Sequence, residues 1–156
     1  MKIAVVSNDY LYNNTELFTQ AVSSIYSNVK CRFWPCLDSD NIYEELVSFQ
    51  PSLLITENLA GFHMSTYMGN TAYNLLHCMQ IHLLYDILPF TDQQAAILEK
   101  PLSLSMHFMC CDEKTKKETQ IINPDIPFID TLPSPSPCIS DILSMITVLT
   151  EKGTSE

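Results

Sequence analysis

Glycine is scarce in this chain, with only Gly61, Gly69 and Gly153 among 156 residues. A phosphate-cradling loop needs glycine where backbone amides close on an anion. Neither G-x-G-x-x-G nor G-x-x-x-x-G-K-[ST] occurs, and there is no G-x-S-x-G nucleophile elbow. No cofactor is expected. Positive charge is scarce as well: 8 basic residues stand against 18 acidic ones, for a net charge of −10. Such a chain offers little counterion release to a nucleic-acid backbone, and an anionic lipid surface repels it. No nucleic-acid partner is expected, and the charge reads as a device for solubility. No apolar run approaches the ~18 residues of a membrane span. The start MKIAVVSNDY lacks the pattern of a signal peptide.

There is no C-x-x-C among the six cysteines, Cys31, Cys36, Cys78, Cys110, Cys111 and Cys138. The chain is too long and too apolar to need a disulfide framework. A thiol inside a hydrophobic run behaves as a small apolar side chain. A reducing, cytoplasmic setting is therefore expected. His77, Cys78 and His82 form no complete zinc set, so no metal is expected. Cys78 and His82 would share a helix face, but His82 reads as a strand residue.

Hydrophobic residues make up 46% of the chain, enough for an ordinary packed core. The length suits one domain, placed over residues 1–150 with 151–156 as a frayed tail. Lys2–Val6 is a β-branched run of the kind parallel sheets bury on both faces. SNDYLYNN reads as a turn. From Thr15, residues Leu17, Phe18, Ala21, Val22 and Ile25 fall at helical spacing, with Asn14 or Thr15 as cap. VKCRFWP alternates as a second strand. A helix with Ile42, Leu46 and Phe49 on one face is capped near Ser39 or Asp40 and stops before Pro51. SLLIT is a third strand and QIHLLYDI a fourth, with a short helix NTAYNLLHC between them. PFTDQQAAILEK is helical, LSLSMHFMCC a fifth strand, and DEKTKKETQII a helix read as acidic first and basic later. IPFIDTL makes a sixth strand, and ISDILSMITVLTE closes the chain as an amphipathic helix.

Strand then helix, repeated about six times, predicts an α/β fold. Its form is a doubly wound, mainly parallel, six-stranded Rossmann-like sheet with helices on both faces. In such sheets ligands bind beyond the carboxyl ends of the strands, at the switch point. The residues expected there are Asn8 and Asp9 after strand one, Glu57, Asn58 and Gly61 after strand three, and Asp86 after strand four. Gly61 allows close backbone approach. Asp9 or Asp86 would accept a hydroxyl's hydrogen bond. The bland alternative is that such polar residues cap the next helix, as expected first of all for Asp112 and Asp92.

Three segments, PSLLITENLAGFHM, YNLLHCMQIHLLYDILPF and HFMCCDEKTKKETQIINPDIPFIDTLP, carry a resemblance over about Leu53 to Pro133. Together they resemble the N-terminal half of spore-maturation-type bacterial glycosyltransferases with a GT-B fold. In that family a strand runs into an N/D-x-A-G-F loop, and a YN-x-L-x-C segment leads to an Asp turn. The resemblance implies an acceptor-side half that binds a sugar, another polar acceptor or a partner subunit, without catalysing transfer alone. YEELVSFQPSLLITENLAGFHM is also similar to the third-strand region of response-regulator receivers, EL-x-x-x-x-PDLV-x-x-D-x-x-x-PG. That likeness puts Glu57 where the phosphorylated aspartate stands. It implies a pseudo-receiver, a protein-interaction module or homodimer, in which Ile142, Met145 and Leu149 would offer a partner face; the bland reading of these three is core. A flavodoxin-like electron carrier lacks its Thr-rich phosphate loop here.

Overall fold

The apolar runs of the sequence become the middle of a parallel sheet. The computed structural model describes residues 1–7, 10–35, 42–57, 78–84, 106–110, 112–122, 124, 129–131 and 139–154. The described elements are β1 (Lys2–Val6), α1 (Tyr10–Asn13), α2 (Thr15–Ile25), β2 (Lys30–Trp34), α3 (Ile42–Phe49) and β3 (Leu53–Glu57). They continue as β4 (Met79–Leu84), β5 (Met106–Cys110), α4 (Glu113–Ile122), β6 (Ile129–Thr131) and α5 (Ile139–Thr154). The strands lie in the order β2-β1-β3-β4-β5, and the short β6 extends the last edge. Every pairing is parallel, as the expectation of strands pointing one way requires. Parallel neighbours need long crossovers, and the alternating helices supply them.

Side chains alternate across each strand, so one sheet feeds two cores. On one face Ile3, Val5, Leu53, Ile55, Ile81, Leu83 and Met109 meet Leu11 of α1, Phe18 and Val22 of α2, and Ile142, Leu143 and Ile146 of α5. On the other face Ala4, Val6, Leu54, Cys78 and Trp34 meet Leu46 of α3. Helices therefore cover both faces. All five residues of β3 are buried, which is what a central strand with two covered faces demands.

The structure amends several sequence expectations. SNDYLYNN is not turn throughout: Tyr10–Asn13 forms one helical turn and buries Leu11. Four residues are too few for a periodic signal. In α2 the buried residues are Phe18 and Val22, while Leu17 and Ile25 face solvent. Asn14 holds the N-cap position of α2, but its side chain makes no capping bond there. Its Nδ2 instead donates to the Tyr10 carbonyl at 2.8 Å, tying α2 back to α1. The lysines of α4 fall at Lys114, Lys116 and Lys117, and its last turn carries no basic residue. Glu113 in the first turn gives the acidic half of the expected match to the helix dipole, and the basic half is absent. Ile142 belongs to the core, as its bland reading held. α5 continues to Thr154, beyond the expected boundary at residue 150. The caps Ser39 and Asp40, residues 70–77 of the helix expected over 70–78, the helix expected over 89–100, and Asp92 lie outside the described residues.

Cys31, Cys78 and Cys110 are in no disulfide. His82 lies inside β4, as the strand reading required.

Candidate functional site

β1 pairs with β2 on one side and with β3 on the other. The chain leaves β1 for β2 in one direction, and after β2 it crosses to β3 in the other. The switch point therefore falls between the carboxyl ends of β1 and β3. The register pairs Val6 with Thr56, so the next residues, Ser7 and Glu57, come side by side at that end.

Both side chains are fully buried. Ser7 Oγ donates to Glu57 Oε1. The Leu11 backbone N–H donates to the same oxygen at 2.9 Å. The Ser7 amide continues the sheet ladder, donating to the Trp34 carbonyl at 3.1 Å. A buried carboxylate is tolerated where donors meet it, and here a hydroxyl and a peptide N–H do so. Glu57 thereby joins three stretches that are distant in sequence: the end of β1, the α1 turn and the end of β3.

The neighbouring residue of β3 points the other way. Thr56 Oγ1 lies 2.8 Å from His82 Nδ1. Gln80 Nε2 donates to Thr56 Oγ1 at 3.2 Å. A single line of donation, from Gln80 to Thr56 to His82, satisfies these contacts and leaves the ring proton on His82 Nε2. Burial lowers the His82 pKa from 6.5 to about 3. The imidazole is neutral at pH 7, because desolvation disfavours the charged ring. A base poised near neutrality needs the opposite tuning.

Two of the described thiols, Cys31 and Cys78, are also tuned away from reaction. Burial pushes Cys78 up to about 11 and raises Cys31. A thiol with so little thiolate is a poor nucleophile. Among the described residues no group of three His, Cys, Asp or Glu side chains could hold a metal ion. No described helix is long and apolar enough to cross a membrane.

Of the six residues expected at the rim, Glu57 is described, and it stands at the switch point. Asn8, Asp9, Asn58, Gly61 and Asp86 lie outside the described residues. Asp112 is a cap, as its bland reading held: its Oδ1 accepts the Thr115 N–H at 2.7 Å at the start of α4. Sequence reasoning passed over Ser7 and Leu11 as partners of Glu57. The available signal was a hydroxyl directly after an apolar strand, opposite an acid directly after another.

No protein-family model, no curated protein and no solved structure matches this chain. The likenesses to glycosyltransferase halves and to receivers rest on the quoted segments.

Proposed function

We propose that this protein is a doubly wound, Rossmann-like binding module, akin to the acceptor-side half of GT-B glycosyltransferases. It takes a sugar or other polar acceptor, or a partner subunit, at the β1–β3 switch point and does not catalyse transfer alone. The observation that carries this reading is the state of Glu57. The described carboxyl group at the switch point is enclosed and accepts hydrogen bonds from Ser7 Oγ and the Leu11 N–H, so it is not placed as an accessible base. The parallel sheet supports the location, since such sheets bind ligands beyond their carboxyl ends. Asn8 and Asp9 follow Ser7 in the chain, and Asn58 follows Glu57. In this reading they line the crevice with Gly61 and Asp86.

Thermal-shift titrations with free sugars and nucleotide sugars test this directly. A saturable rise in Tm with one of these classes is expected. The absence of a rise with any of them, in a chain that also stays monomeric, overturns the proposal.

A second reading has its own support. The order β2-β1-β3-β4-β5 is the flavodoxin-like one, which receivers share. Glu57 ends β3, where the receiver resemblance puts the phosphorylated aspartate. A glutamate sealed by Ser7 and Leu11 suits a pseudo-receiver that binds a protein without phosphoryl chemistry. Self-association in size-exclusion chromatography with light scattering, together with indifference to every sugar, favours this reading.

A further inference from the structure

We propose that the open edge of β2 takes an extended acidic peptide as an added strand, one that alternates carboxylate and apolar side chains. The site lies on the far side of β1 from the β1–β3 switch point and does not rest on the binding-module reading.

β2 ends the strand order, and among the described residues no strand lies beyond it. The Lys30 N–H donates to the Met1 carbonyl at 2.9 Å, and the Trp34 carbonyl accepts the Ser7 N–H at 3.1 Å. Backbone polar groups of successive strand residues point to opposite edges, so those of Lys30, Arg32 and Trp34 serve β1. Those of Cys31 and Phe33, two N–H and two C=O groups, point outward, and among the described residues nothing bonds them. Such a row is a template for another strand.

The side chains say which strand. Lys30 and Arg32 share one face of β2, and Lys2 stands beside Lys30 in the β1 register. All three are exposed. Three of the chain's 8 basic residues thus gather at one edge of a protein whose net charge is −10. Lys2 Nζ donates to the Phe49 carbonyl at 3.2 Å, and Arg32 Nη2 lies 3.5 Å from Glu45 Oε2, while no described acid pairs with Lys30. The opposite face carries Cys31 and Phe33, both half-buried against the core, with the Phe33 ring edge-on to Phe18 at 5.9 Å between centroids. A strand with carboxylates on the first face and apolar side chains on the second matches both. At physiological ionic strength charges beyond about 8 Å are largely screened, so the nearby cations dominate over the remote acids of the chain.

A second copy of the chain fits poorly. About a two-fold axis, antiparallel pairing of Cys31 with Cys31 sets Lys30 against Arg32, and pairing of Cys31 with Phe33 sets Arg32 against Arg32. Pairing of Phe33 with Phe33 sets Cys31 against Pro35, which has no N–H to give.

The experiment titrates capped peptides into the whole chain at pH 7.5 and physiological ionic strength. It reads the Cys31 and Phe33 amide resonances and their hydrogen exchange. The probes alternate Glu with Val, or Lys with Val. Two further Glu–Val peptides carry N-methyl groups on the Glu amides only or on the Val amides only. The Glu–Val peptide is expected to shift both resonances saturably and to slow both exchanges. The Lys–Val peptide should bind about tenfold more weakly, since two ion pairs turn to repulsion. A strand meets its neighbour through alternate residues, so one N-methylated peptide should bind and the other fail. Lys30→Glu, at an exposed position, should weaken Glu–Val binding several-fold and strengthen Lys–Val binding.

Cys31 and Phe33 resonances that stay unmoved by the Glu–Val peptide overturn the proposal. So do equal affinities for the Glu–Val and Lys–Val peptides, and full binding by both N-methylated forms. Resonances that move with protein concentration alone assign the edge to a second copy and also overturn it. Sugar titrations bear only on the switch-point reading, so the two stand or fall separately.

Discussion

Thr56 and Glu57 are consecutive, both fully buried and both polar, yet they live in different worlds. Thr56 faces the α3 side of the sheet and joins the neutral set Thr56–Gln80–His82. Glu57 faces the α1–α2 side and gathers donors from Ser7 and Leu11. The first set links two adjacent strands and is held neutral by burial. The second links a strand end to the turn beyond its neighbour. One strand thus carries two solutions to burying polarity: a neutral set shared with the next strand, and a carboxyl group met by donors from two other segments. The neutral set joins β3 to β4 within the sheet, whereas the acidic one joins the end of β3 to the end of β1 and to α1.

Removing an acceptor should separate the two regions most strongly. Glu57→Ala removes the acceptor that the Ser7 hydroxyl and the Leu11 N–H share. Hydrogen bonds to charged groups contribute roughly 1.5–3 kcal/mol each, so a loss of about 3–5 kcal/mol is expected in urea denaturation. A loss under about 1 kcal/mol would place Glu57 on a par with an ordinary surface residue.

Acid should test the neutral region. The His82 pKa is lowered from 6.5 to about 3 in the fold, so between these values the unfolded chain binds more protons. Stability from this group is complete above pH 6.5 and falls as pH drops toward 3. By pH 5 the loss should reach about 2 kcal/mol relative to pH 7.5. His82→Asn keeps an acceptor for Thr56 and removes the titration. Its stability measured from pH 7.5 to pH 5 should therefore decline less than that of wild type. Equal slopes would show that His82 is not buried neutral.

Thr56→Val is the matching deletion in the neutral set. It strips a partner from Gln80 and His82, and calorimetry should register about 1–3 kcal/mol, the cost of buried polar groups left unmatched. The smallest effect should come from Asp112, a rim carboxylate of the capping kind. Asp112→Ala removes the bond to the Thr115 N–H and should cost about 1 kcal/mol with helix α4 retained by circular dichroism. Glu57 and Asp112 both end up beside strand termini, so a gap of several-fold between their alanine variants would separate an enclosed carboxylate from a helix cap.

The parallel sheet was legible because Lys2–Val6, Leu53–Glu57 and Met79–Leu84 are apolar runs of strand length, with room for a crossover between each and the next strand. The α1 turn was not legible, since one helical turn has no period to detect. Leu17 and Ile25 were misplaced for a related reason: helical spacing defines a stripe, but not its edges, and the core under α2 is narrow enough for Phe18 and Val22. The position of Glu57 could be read, because an acid ending an apolar strand stands at the rim. Its partners could not. Ser7 and Leu11 lie 50 and 46 residues away, and only the β1–β3 register brings them together. The same holds for Thr56 and His82, 26 residues apart, which meet through the β3–β4 register.

A double-mutant cycle on Ser7→Ala and Glu57→Ala, read by equilibrium unfolding at pH 7.5, addresses the joining of β1 to β3 most directly. Hydrogen-bonded neighbours couple by about 0.5–3 kcal/mol, and the expected result is a coupling in the upper half of that range. Additive losses, with coupling within about 0.3 kcal/mol of zero, would contradict an enclosed carboxylate held by Ser7 at the switch point.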